Sequence, residues 1–289
     1  MRLLLPWSRA LAALLTLTAC SAADLLDATV PASGYRRVSD IAYGPDPRQR
    51  LDVYIPAQPG PSRATIVFFY GGAWDSGRRQ DYRFVAQALS DAGFRVVVPD
   101  YRLFPQVRFP AFVEDGAAAV RWTRSHIAAH GGDPGRLFLA GHSAGAHIAL
   151  MLAARTPWLT AAGVDRTAIR GVIGIAGPYD FLPLSSARLR DVFAGSDPAA
   201  TQPINHVGPG LPPVLLLHGD ADSTVMVRNT HNLATAWRAA GNAVDVRIYR
   251  GVGHIGIVTA FSGVFRNRAP TLADTAAFVH RVELDGAAR

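Results

Sequence analysis

The chain has 289 residues, 49% of them hydrophobic and 18% charged, with a formal net charge of +7, so it can bury a substantial core. All 29 basic residues are arginine, which excludes chemistry that needs a side-chain amine, such as Schiff-base catalysis or a phosphate loop ending in Gly-Lys. The single cysteine, Cys20, excludes an intramolecular disulfide, a thiolate zinc site and a C-x-x-C redox pair.

Residues 1–20 hold Arg2 and Arg9, an apolar run from Ala10 to Leu17 and then small residues, the makeup of an export signal. The run is shorter than the roughly 20 apolar residues that cross a bilayer. Leu17-Thr18-Ala19-Cys20 resembles the lipobox of bacterial lipoproteins. That resemblance implies cleavage before Cys20, acylation of its thiol, and a lipid-anchored place in the bacterial cell envelope. Ordinary cleavage near Ala22 or Ala23 would instead leave a soluble exported protein. Residues 21–34, small and polar with Pro31 and Gly34, read as a linker, and 35–289 as one domain.

Within that domain, short β-branched or aromatic runs predict strands near 36–43 and at Leu51–Ile55, Thr65–Tyr70, Arg95–Pro99, Leu137–Ala140, Val172–Ile175, Val214–Leu217 and Val244–Tyr249. Alanine-rich periodic stretches predict helices at Gln80–Ala92, Ala111–His130, Ala144–Ala154, Arg228–Ala240 and Thr271–Val282. Strands alternating with helices imply an α/β fold, a mostly parallel eight-stranded sheet with helices on both faces. The first two strands are separated by a turn at Gly44-Pro45-Asp46-Pro47 and should form an antiparallel edge hairpin. Residues 178–212 interrupt the pattern and are expected to form a small cap.

Leu137–Ala140 runs into Gly141-His142-Ser143-Ala144-Gly145 and then into a helix, placing G-x-S-x-G in a strand, tight turn and helix. Glycines at 141 and 145 allow the turn to pass close to its neighbours, and the helix N-terminus lies under Ser143. Serine needs a base and an orienting acid. After the strand Val214–Leu217 come Asp220 and Asp222, and after Tyr249 comes His254. Both positions lie beyond the carboxyl ends of strands, where parallel sheets place function. His254 is therefore the expected base, with His206 and His218 as rivals, and His147 is expected to be buried behind the nucleophile.

The segments GHSAG, HGDADSTV, GVGH and YGGAW together resemble the α/β-hydrolase superfamily, in its esterase and lipase branch with an HGGxW-type oxyanion loop. The resemblance covers essentially residues 36–284. It implies Asp222 as the acid of a Ser-His-Asp triad, with Asp220 as a turn-former and the fallback. Oxyanion-hole donors are expected from the N–H of Ala144 and from Gly72 and Ala73, with Gly71 a third candidate. Tyr70 stands where the family usually has histidine, which leaves open how the loop is braced. Trp74 reads equally as core packing or as pocket lining, and Tyr179, Phe181 and Leu182 as pocket wall. Asp115 is expected to brace a neighbouring loop.

These residues lead to an expected serine hydrolase acting on carboxylic esters with short acyl or small aryl groups through an acyl-enzyme. An arylformamidase or other amidase with the same residues is the alternative, and an inactive lipoprotein binding module a second. A small-molecule ester is the expected partner, with no metal and no cofactor. The arginines are scattered singly or in pairs, short of the runs of about five that mark nucleic-acid tails, so no nucleic acid is expected. Contact with a membrane is expected through Cys20 alone.

Overall fold

The computed structural model describes residues 26, 29–31, 33–58, 60, 62–154 and 157–287. The export signal with Cys20, and most of the linker, lie outside the described residues. Among the described residues no helix is long and apolar enough to cross a membrane.

The strands are β1 Tyr35–Ala42, β2 Arg50–Pro56, β3 Thr65–Phe69, β4 Arg95–Pro99, β5 Leu137–His142, β6 Ile169–Ile175, β7 Val214–Gly219 and β8 Val244–Tyr249. They form one sheet in the order β1-β2-β4-β3-β5-β6-β7-β8. β1 and β2 pair antiparallel, as the turn between them requires, and β2 is antiparallel to β4 as well. Every other pairing is parallel. The central strands β3, β4, β5 and β7 are buried along their whole length, which explains their continuous apolar runs. β8, at the edge, is mostly half-buried or exposed and alternates with polar residues.

The helices are α1 Arg83–Asp91, α2 Ala111–His126, α3 Ala144–Ala153, α4 Trp158–Ala161, α5 Ala187–Val192, α6 Arg228–Ala239, α7 His254–Thr259 and α8 Thr271–Ala287. Five match the sequence expectation. The stretches expected to begin the first helix and to end the second are 3-10 turns, Arg79–Tyr82 and Ile127–His130. α1 packs with α8, and α2 with α3, so two helical groups flank the sheet. α3 is buried at every residue, and its alanines let it lie close against β5 and β6. This eight-stranded, mostly parallel sheet with its antiparallel edge is the α/β-hydrolase fold. The 178–212 insert carries α5 and two 3-10 turns, Pro198–Thr201 and Pro203–His206. The chain segments that leave β3, β5, β7 and β8 carry Gly71, Ser143, Asp222 and His254, in that order.

Candidate active site

Ser143 joins β5 to α3 with φ of +54° and ψ of −122°, a conformation that costs a non-glycine residue energy and persists where its surroundings enforce it. Those surroundings are visible. The Ser143 N–H donates to the carbonyl of Ile175 at 2.9 Å, pinning the turn to β6. A Cβ on Gly145 would lie 2.0 Å from the Phe69 carbonyl oxygen, and one on Gly141 would lie 2.3 Å from the Gly145 carbonyl. Both positions admit glycine alone, for the reason the motif suggested.

His254 opens α7, after Gly253 in extended conformation. The Ser143 hydroxyl donates to His254 Nε2 at 2.9 Å, and His254 Nδ1–H donates to Asp222 Oδ2 at 2.7 Å. Asp222 is buried, and its Oδ1 accepts the N–H groups of Thr224 and Val225, each at 2.9 Å. Burial by itself would raise the Asp222 pKa. Hydrogen bonds from His218, His254 and Val225 outweigh burial and hold its carboxyl well below the usual range, so it stays ionised. Asp220 is exposed and accepts the Gly251 N–H at 2.6 Å, bracing the turn before His254. It does not meet the imidazole.

Of the rival histidines, His218 is fully buried behind Asp222. Its Nε2–H donates to the Val225 carbonyl at 2.8 Å and lies 3.3 Å from Asp222 Oδ2, while Thr230 Oγ1–H donates to its Nδ1 at 2.8 Å. His218 therefore supports the acid. Its position one residue before Gly219-Asp220 was the only sequence signal for this. His206 lies in the cap insert against the Ala200 carbonyl, and His147 is buried and donates to the Thr201 carbonyl.

Gly72, Ala73 and Trp74 all have positive φ, at +135°, +46° and +63°, turning the peptide planes of this loop. Among the described residues, the N–H groups of Gly72, Ala73 and Ala144 donate to no protein acceptor. Ala73 and Ala144 line the smaller cavity beside Ser143, and Gly72 and Ala73 the larger one. Gly71 departs from the expectation, because its N–H donates to Tyr82 Oη at 3.1 Å and is not free for a substrate. Tyr70, in place of histidine, braces the loop through its own hydroxyl. Arg48 Nη2–H donates to it at 2.8 Å, and Tyr101, stacked on Tyr70 with ring centroids 4.6 Å apart, donates to the Tyr70 carbonyl. The Tyr101-Arg102 segment is fastened in turn by Asp115, which accepts the Arg102 N–H at 2.8 Å and its guanidinium. Asp115 thus braces a loop, as anticipated.

Two cavities meet at Ser143, Ala73 and Thr224. One, of about 360 Å³, is lined by Trp74, Phe181, Pro178, Leu189 and Met226, with Arg228 at the N-terminus of α6. The other, of about 600 Å³, is lined by Tyr82, His142, His254, Ile255 and Val258. Trp74 does both things proposed for it, since it is 3% exposed, packs against Phe112, Phe181 and Phe193, and still lines the smaller cavity. Tyr179 is a correction. Its ring is fully buried against Gly174 and Gly177 and does not line either cavity, whereas Phe181, expected beside it, lines the smaller one. Within the segment expected to be a linker, Leu26 is buried and forms part of the wall of the larger cavity. Arg188 of α5 pairs with Asp75, the residue after Trp74, and both line the larger cavity. Among the described residues, no cluster of three or more His, Cys, Asp or Glu is placed to hold a metal.

An acid, an imidazole and a hydroxyl in line at the strand ends of this sheet define a member of the α/β-hydrolase class. The chain belongs to the BD-FAE family, whose model matches residues 51–237. It is 31% identical over 240 residues to esterase LipC of Mycobacterium tuberculosis, covering 74% of this chain and 58% of that protein. It is 30% identical over 240 residues to an isoprenylcysteine alpha-carbonyl methylesterase of Arabidopsis thaliana, covering 74% of this chain and 55% of that one. The chain spans about half the length of the curated relatives it matches. Among solved structures it is similar to Thermogutta terrifontis esterase 2 phosphoramylated by tabun, with a TM-score of 0.71 and 28% identity over 86% of this chain and 95% of that one. Esterase B from Lactobacillus rhamnosis shares the fold with a TM-score of 0.77 at 21% identity, over 88% of each chain.

Proposed function

We propose that this chain is a serine hydrolase that cleaves carboxylic esters. The observation that carries the reading is the unbroken hydrogen-bonded line from Asp222 through His254 to Ser143, beside free N–H groups at Gly72, Ala73 and Ala144. His254 takes the Ser143 proton as Oγ attacks the ester carbonyl. The alkoxide that develops is held by the free N–H groups and the positive end of α3, and His254 then protonates the leaving alcohol. Water, deprotonated by the same imidazole, hydrolyses the acyl-enzyme. Asp222 orients the ring and stabilises its charged form throughout.

The 360 Å³ cavity beside Ser143, walled by Trp74 and Phe181, supports small acyl groups. The relatives and neighbours named as esterases support ester cleavage. The sequence of the first 20 residues supports export and anchoring at Cys20, so we place the enzyme in the bacterial cell envelope. The chemistry is tested with a fluorophosphonate probe and p-nitrophenyl esters from acetate to palmitate, with N-formylkynurenine alongside. Wild type should label and prefer the short esters, and Ser143→Ala should do neither. Equal labelling of the two proteins would sink the assignment of Ser143, and a preference for palmitate or the formamide would sink that of the substrate. Location is tested by fractionation: Cys20→Ser should move the protein out of the membrane fraction.

A further inference from the structure

A continuous hydrogen-bond chain links the Gly71–Trp74 loop to His254 at the start of α7 without passing through Ser143. The Gly71 N–H donates to Tyr82 Oη at 3.1 Å, Tyr82 Oη lies 3.0 Å from His142 Nδ1, and His142 Nε2 lies 3.0 Å from the His254 carbonyl oxygen. A carbonyl only accepts, so the proton sits on His142 Nε2 and Nδ1 is bare. The Tyr82 hydroxyl must then donate to Nδ1, which leaves its oxygen to accept from Gly71. Each donor meets one acceptor, and the chain has one direction.

Independent contacts fix its members. A Cβ on Gly71 would lie 2.9 Å from both His142 Nδ1 and Tyr82 Oη, so the loop and the chain are in close contact with no slack. Tyr82 ends the 3-10 turn that begins at Arg79. Arg79 is buried, gives its guanidinium to Asp40, Asp52 and Asp100, and donates its N–H to Asp100 at 2.7 Å, so the turn is anchored to the sheet. His142 is buried in the elbow itself. That burial, with the nearby His254 ring, pushes its pKa down to about 3, and the ring stays neutral as the chain requires.

We propose that Tyr82 and His142 are positioning residues that aim the Gly72 and Ala73 N–H groups and the His254 imidazole at Ser143. This rests on the ester-hydrolase reading above. Drawing the Gly71 N–H onto Tyr82 sets the peptide planes that follow it, and holding the His254 carbonyl sets the first turn of α7. Donors fixed in advance need no reorganisation when the alkoxide forms. Losing the chain should therefore slow the chemical step and leave substrate binding intact.

Tyr82→Phe removes one hydroxyl and should lower kcat about tenfold with KM changed less than about twofold, the size expected for one network hydrogen bond. His142→Leu should do the same, and His142→Gln, which can still donate and accept, should recover most of the loss. Because the three groups act as one chain, the double variant Tyr82→Phe with His142→Leu should lose little more than the worse single one. Hydrogen exchange followed by mass spectrometry supplies a readout independent of activity: the peptide holding Gly71 should exchange faster in Tyr82→Phe while the rest of the sheet is unchanged. Wild-type kcat in the folded single variants, a loss confined to KM, or additive losses would each overturn the proposal. If wild type itself hydrolyses no ester, the functional reading fails, and the chain is then judged by Gly71 exchange, where unchanged protection in Tyr82→Phe refutes it.

Discussion

Two aspartates two residues apart do different work because their surroundings differ. Asp222 is buried, holds His254 at 2.7 Å and is kept ionised by the groups around it, whereas Asp220 is exposed and holds the Gly251 N–H. Asp222→Asn should lower kcat/KM by about three to four orders of magnitude, because the amide can turn its oxygen or its NH₂ toward the imidazole and no longer fixes the tautomer. Asp220→Asn should cost less than about tenfold, since a side-chain carbonyl still accepts the turn N–H. Steady-state kinetics on p-nitrophenyl acetate separates the two, and similar losses in both would contradict the assignment. Ser143 and His254 could be read in the sequence because each follows a recognisable strand, so the parallel sheet itself collects them, whereas Asp220 and Asp222 follow the same strand and only the family resemblance singled out Asp222. Tyr82, His142 and His218 could not be read in this way. Tyr82 and His142 are 60 residues apart and meet through packing, and His142 reaches the His254 carbonyl across 112 residues, with no local pattern that records either contact.

At the scale of elements, long periodic segments declare themselves and short ones do not. The five helices anticipated from the sequence are nine residues or longer, and the three missed, α4, α5 and α7, have four to six. A helix of one or two turns cannot repay its nucleation alone, so it forms where the fold holds it: α7 packs on β7, and α5 starts at Ser186, whose side chain accepts the Leu189 N–H. The junction of β5 with α3 is the reverse case, where the local sequence is dictated by contact. With the Phe69 carbonyl 2.0 Å from where a Cβ would lie, Gly145→Ala must push α3 away from β3. It should destabilise the fold by about 2–4 kcal/mol and misplace Ser143, so that activity falls further than the loss of folded protein explains. Urea titration beside fluorophosphonate labelling of the folded fraction measures both, and a variant of native stability and labelling rate would refute the close approach.

Among the described residues, two of the buried histidines, His142 and His147, have pKa values held well below the ordinary range, and this shapes the response of the whole molecule to acid. Burial holds His142 at about 3 and His147 at about 4, both below the ordinary 6.5. In the unfolded chain each takes a proton near pH 6.5, so between that pH and the native values the unfolded state binds more protons than the folded one. Stability is then complete above pH 6.5 and declines as pH falls toward 4 and 3. At pH 5 each histidine should have withdrawn about 2 kcal/mol, together a large part of the 5–15 kcal/mol typical of a folded domain. Asp222, whose carboxyl is held below its ordinary range, adds a loss of the same sign at lower pH. His147 lies outside the Ser143–His254–Asp222 line, donating to the Thr201 carbonyl, so it can be varied to separate this effect from catalysis. His147→Gln, whose amide can keep that donor and does not titrate, should flatten the fall in stability between pH 6.5 and 5 by about half. Urea unfolding at pH 7.5, 6 and 5 provides the test: parallel pH dependence in wild type and variant would mean that His147 charges in the folded protein and that its burial is not what limits the fold in acid.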